Sequence, residues 1–216
     1  MDLPFSVEQF LQLFKSYNQS VFPLQFLFYI LAFTIVFLSV KRMKGADRII
    51  NSILTFFWLW MGIVYHLLFF SAINKAAYLF GSFFIVQGIL FFFFGVIKQK
   101  LAYKLTNNVP GITGAVIVIF ALIGYPLLGY LFGHIYPYSP TFGVPCPTTI
   151  FTFGVLLWSN NRAPKVILLI PFLWSLLGFS AATKLGIRED TALIVAGFIS
   201  TGILLIRKNT NEPGNR

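Results

Sequence analysis

Seven apolar segments, Phe22–Val40, Ile49–Phe70, Ala77–Ile97, Gly111–Phe132, Thr148–Trp158, Val166–Thr183 and Thr191–Ile206, contain no Asp, Glu, Lys or Arg. Crossing a hydrocarbon core of ~30 Å takes about 20 such residues as helix, and most of the seven come near that length. A water-soluble fold cannot hide so many apolar faces. Of 216 residues 57% are apolar, and only 10% are charged, where soluble domains carry about 25%. Lipid must cover the rest, and in lipid each backbone polar group has to be bonded internally. The expected fold class is therefore all-α: a polytopic membrane protein of about seven transmembrane helices. It reads as a single integral membrane domain over 1–216, with an interfacial helix in 1–21, the bundle in 22–206 and a basic tail in 207–216.

The fifth segment is the odd one. Eleven residues of helix rise only about 16 Å, half of the core. The stretch before it, Gly133 to Gly154, carries Pro137, Pro140, Pro145 and Pro147 and no charged residue. Each Pro removes a backbone donor and disfavours helix in the residue before it. Residues 136–147 are therefore expected to be mostly non-helical and packed on protein, with the fifth helix starting within a residue or two of Pro147.

Ahead of the first span, residues 5–20 read as a short amphipathic helix. Ser6 and Gln9 have capping-box spacing, and Phe5 and Phe10 have staple spacing. Val7, Phe10, Leu11, Phe14 and Tyr17 share a face, which suits a helix lying flat on the bilayer. The first residues, MDLPFSVEQF, lack a basic n-region, so no cleaved signal peptide is expected.

The net charge of +10 is a topology signal. Lys41, Arg42, Lys44, Arg48, Lys98, Lys100, Lys104, Arg162, Lys165, Arg207, Lys208 and Arg216 fall on one side of a seven-span chain. Only Lys15, Lys75, Lys184 and Arg188 fall on the other. Basic loops stay in the cytoplasm, which places the N-terminus outside and the C-terminus inside a bacterial cytoplasmic membrane. The basic inner face would attract anionic lipid. Nucleic acid is not an expected partner, and a homo-oligomer is compatible with the reading. Asp2, Glu8, Glu189 and Asp190 balance the four outer cations.

Charge-free spans argue against a carboxylate-driven pump. What remains for chemistry is Cys146, His134 and His66. Pro147 suits a first helical position, which would make Cys146 the N-cap and expose its thiol to the positive helix end, favouring the thiolate. The amides and hydroxyls of Thr148 and Thr149 would complete an anion site there. Cys146, Thr148, Thr149, His134 and Tyr136 are thus the candidate ligand-binding residues. Cys146, His134 and His66 lie toward one leaflet, and two imidazoles with a thiolate suit copper or zinc; they are the candidate metal ligands. A single Cys excludes a multi-thiolate cage. No catalytic residue and no cofactor is implied, for the Gly-x-Ser-x-Gly and His-Glu-x-x-His patterns are both missing.

Five pieces, PFSVEQF at Pro4, FFWLWMGIVYHLLFFSAIN at Phe56, YPLLGYLFGHIYP at Tyr125, SPTFGVPCPTTIFTFG at Ser139 and LWSLLGFSAA at Leu173, carry a resemblance that runs the length of the chain. It resembles an uncharacterised family of small bacterial multi-pass membrane proteins, domain of unknown function 6064. The resemblance implies a bacterial membrane protein and supplies no substrate. Three functional classes stay open. One is a small transporter or permease for a solute or soft metal ion, with its site at the outer end of spans four and five. The others are an intramembrane thiol-dependent enzyme and a ligand-free accessory subunit.

Overall fold

The computed structural model describes residues 4–160 and 163–207. Arg162, Lys208, Arg216, Asp2 and the tail beyond Arg207, used above for topology, lie outside them. The described residues form eight helices: α1 (Val7–Val21), α2 (Leu24–Lys41), α3 (Ala46–Ala72), α4 (Ala77–Ile97), α5 (Val109–Leu131), α6 (Pro145–Leu157), α7 (Lys165–Leu185) and α8 (Arg188–Ile206). All but α1 and α6 are long and apolar enough to cross a membrane. The fold is an all-α, multi-pass bundle, and no strand forms among the described residues.

α6 explains the arrangement. Its thirteen residues rise about 20 Å, and twelve of them are buried. A helix apolar all round belongs inside a bundle. Close contact with α5 is possible because two glycines meet. A Cβ on Gly154 would lie 2.8 Å from the Gly114 carbonyl oxygen, and one on Gly114 would lie 2.6 Å from that of Gly154. Small residues allow such backbone approach between membrane helices. Two indoles of this core are paired across helices: Trp58 Nε1 donates to Thr152 Oγ1 at 3.2 Å, and Trp158 Nε1 to the Gly111 carbonyl at 3.0 Å. α5 itself widens to π-helical turns over Phe120–Gly124. Pro126 brings no N–H and crowds the turn before it, which accounts for the widening.

The basic loops meet at one end. Tyr103 pairs with Ser159 in an isolated bridge, and the Lys104 amide donates to the Trp158 carbonyl at 2.9 Å. The Tyr103 amide donates to Asp47 Oδ1, and its hydroxyl to Asn51 Oδ1, both at 2.8 Å. Burial pushes the Tyr103 phenol well above its usual range, and Asp47 adds to the shift, so it stays a donor. Arg207 closes this end on the Ser159 carbonyl at 2.6 Å.

At the other end α1 and the proline-rich stretch cover the bundle. The capping box forms as the spacing predicts, with the Gln9 amide donating to Ser6 Oγ at 3.2 Å and the Ser6 amide to Gln9 Oε1 at 2.9 Å. Phe5 stacks on Phe10. The buried face of α1 is rotated from the expected one. Leu13, Phe14, Tyr17, Asn18 and Val21 are covered, whereas Val7 is 44% exposed. Packing on protein is the reason. Asn18 Nδ2 donates to the Pro137 and Ser139 carbonyls at 2.7 and 2.8 Å, and Tyr17 Oη to that of Gly143 at 3.3 Å. These bonds satisfy carbonyls that lipid could not, so irregular backbone persists before α6.

Candidate functional site

The site grows out of the turn between α7 and α8. Gly186 takes φ +73° at the end of α7, a conformation that favours glycine. The chain then folds inward, and Glu189 and Asp190 are only 1% and 6% exposed. This corrects the sequence reading, which placed both as outer-loop charges. A surface loop was expected because the pair sits between two apolar segments beside Arg188. The tight turn carries the carboxylates under the surface instead.

Each acid has partners from other elements. Gly133, at φ +89°, lets the His134 amide close on the Gly129 carbonyl at 2.8 Å. The imidazole then reaches Glu189, with His134 Nδ1 2.8 Å from Glu189 Oε1. Glu189 Oε2 has no partner. Tyr125 donates its hydroxyl to Asp190 Oδ1. The Cys146 thiol faces Asp190 and Trp174, while the Trp174 indole N–H finds no acceptor in hydrogen-bonding geometry.

Cys146, Trp174 and Asp190 all border a cavity of about 220 Å³. Its remaining lining is mostly apolar. Phe10 and Phe14 of α1, with Phe5 just ahead of it, roof it, α3, α4 and α7 wall it, and Lys184 and Asn74 also border it. Such a space, apolar with a few convergent polar groups, has the composition of a small-molecule site.

The sequence-predicted residues distribute unevenly. Cys146 is on the cavity, but it is not an N-cap. Val144 caps α6, and the helix starts at Pro145. Both Pro145 and Pro147 fit the first turn, where an N–H needs no intrahelical acceptor. Of the first three residues of α6 only Cys146 therefore has an amide. The Thr148 amide bonds the Val144 carbonyl at 3.4 Å, and its hydroxyl accepts from the Gly143 amide at 3.1 Å. Thr149 is wholly buried. The helix end is thus poor in free donors for an anion, and the thiol meets a carboxyl and an indole.

His66 lies elsewhere, in the π-helical part of α3, ringed by Tyr65, Phe70, Phe80, Phe84 and Trp174. It is fully buried, and both ring nitrogens lack partners. His134 is engaged by Glu189. Tyr136 is 51% exposed and borders a different cavity. Among the described residues no three His, Cys, Asp or Glu side chains are grouped to hold a metal ion, so the expected meeting of His66, His134 and Cys146 does not occur.

A family model described as a family of unknown function, DUF6064, matches residues 7–215. The chain belongs to this family. No curated protein and no solved structure matches it. The match takes in all of the cavity lining but Phe5, and every residue that borders its polar side, from Cys146 to Asp190. Sequence reasoning missed Tyr125, Trp174, Glu189 and Asp190. A signal for the last two was present in Gly186 followed closely by adjacent acids at the start of a span.

Proposed function

We propose that the protein binds a small amphipathic solute in the cavity beneath α1, as the first step of moving it. The solute has an apolar body and a donor-bearing head, such as a primary amine or alcohol. The observation that supports this most is the convergence of Cys146, Trp174 and Asp190 on one side of a mostly apolar space roofed by three Phe rings, with Asn74, Ser180 and Lys184 also on its border. An aliphatic body would be held by burial at about 25 cal/mol per Å², and the head would bond the Asp190 carboxyl. A soft metal ion is disfavoured by the lack of a grouped donor set. A thiol enzyme is disfavoured because the imidazole of His134, the base such a thiol would most often use, is engaged by Glu189 instead.

In this reading α1 is the door. Asn18 and Tyr17 pin it to the proline-rich stretch, and Trp60 Nε1 donates to Tyr17 Oη at 2.8 Å. The basic end faces the cytoplasm of a bacterial inner membrane, with the cavity end outside. Reporter fusions after Arg42, Lys98 and Arg207 test the orientation, and an external signal from any of them refutes it.

Cys146 is the sole thiol, so its alkylation by N-ethylmaleimide reads access to the cavity. Octylamine should slow alkylation of the wild type in proteoliposomes, and Asp190→Asn should abolish that protection. Asn18→Ala should speed alkylation at least tenfold by freeing α1. Alkylation indifferent to both octylamine and octanol would sink the reading.

A further inference from the structure

A second cavity, of about 330 Å³, opens between α2 and α5 at the same end of the bundle. Gln25, Tyr29, Gly129, Tyr136, Ser139 and Thr141 are among its lining residues. Its surroundings are those of a lipid-facing portal. Phe22, between α1 and α2, and Phe26 on α2 are 60% and 64% exposed, and Leu127 and Tyr130 on α5 are 55% and 63% exposed.

One polar atom in it is unsatisfied. Gln25 is 9% exposed. Its Nε2 donates to the Asn18 carbonyl at 2.9 Å, while Oε1 has no partner. The orientation of this amide is fixed by chemistry, because a flip would set oxygen against a carbonyl oxygen. A buried acceptor without a donor costs about 1–3 kcal/mol, and a ligand that brings an N–H or O–H removes that cost. The opposite wall backs onto the Glu189–His134 pair. Gly129 has no side chain, and a Cβ there would lie 3.2 Å from Glu189 Oε1. No Lys or Arg borders the cavity.

We infer that this cavity holds the headgroup of a phospholipid with a primary ammonium, as in phosphatidylethanolamine. The ammonium donates to Gln25 Oε1, the unsatisfied acceptor, and the acyl chains lie along the exposed Phe and Leu side chains of α2 and α5. The site is separate from the space beneath α1 and stands whether or not that space binds a solute.

Native mass spectrometry of the full chain decides the matter. The protein is reconstituted with equal amounts of phosphatidylethanolamine, its N-methyl and N,N-dimethyl derivatives, phosphatidylcholine and phosphatidylglycerol of matched chains. Retention should fall stepwise as methyl groups replace N–H donors, with phosphatidylethanolamine at least fivefold over phosphatidylcholine. Gln25→Met should flatten the series. Equal retention across the methylated series in the wild type overturns the inference, even if the variant fails to fold. So does preferential retention of phosphatidylglycerol, which would place a hydroxyl head there instead. A series unchanged in folded Gln25→Met overturns it too.

Discussion

The two ends of the bundle treat their buried polar groups in opposite ways. At the basic end Asp47, Asn51, Tyr103, Asn160 and Arg207 bond one another or nearby backbone, with Ser159 Oγ an exception. The enclosed void beside Ser159, Asn160 and Arg207 is about 30 Å³, and the larger space at this end, about 530 Å³ against Gly45, Arg48 and Phe56, is an open, apolar surface groove. At the opposite end Gln25 Oε1, Glu189 Oε2 and Trp174 Nε1 lack partners, around cavities of about 220 and 330 Å³. Unpaired buried polar atoms cost about 1–3 kcal/mol each. One end is thus built for cohesion, and the other gives up cohesion for open, partly polar space, as strained or unsatisfied sites do when they serve a ligand.

The largest expected effect comes from the seam that both ends share. Gly154→Val drives a branched side chain against the Gly114 carbonyl, which sits 2.8 Å from the first added atom. Overpacking of this kind costs about 3 kcal/mol, and the melting temperature in detergent should fall by roughly 10 °C. An unchanged melt would mean that the two helices are not in backbone contact.

Next come two substitutions that pull the ends apart. Asn51→Leu leaves the Leu101 carbonyl and the Tyr103 hydroxyl without their partner. It should cost about 2–3 kcal/mol while the rate of Cys146 alkylation stays as in wild type. Asp190→Asn should do the reverse. It keeps an acceptor for Tyr125, so stability should move by less than about 1 kcal/mol, yet octylamine should no longer protect Cys146. If Asp190→Asn melts the protein as Asn51→Leu does, the acid is structural and the contrast between the ends collapses.

The smallest effect belongs to the exposed side of α1. Val7→Ser touches neither the cavity nor the strap, and its effect should stay within about 0.5 kcal/mol. A larger loss would show that the helix contacts something besides the bundle.

The helices were legible in the sequence because hydrophobic length is a coarse signal. All seven apolar segments became helices, and the proline-rich stretch stayed irregular ahead of α6. The site was less legible. Which way a charge at a span end faces depends on a turn three or four residues away, as Gly186 shows for Glu189 and Asp190. Hydropathy also cannot separate an apolar side chain that meets lipid from one that meets protein. Phe26 is 64% exposed and Phe153 fully buried, though both lie in charge-free segments. The metal grouping failed for a related reason. Sharing a leaflet fixes the depth of His66, His134 and Cys146 but not their azimuth around the bundle.

The shortness of α6 also sets a depth scale. Its far end is moored to the basic loops through the Trp158 carbonyl and the Tyr103–Ser159 bridge. Set along the normal of a ~30 Å core with that end at its edge, about 20 Å of helix would stop its first turn roughly 10 Å short of the other edge. Cys146 would then lie beneath the surface by a depth counted in residues, about 1.5 Å for each. Any solute that reaches the thiol would by then have left water behind by that distance.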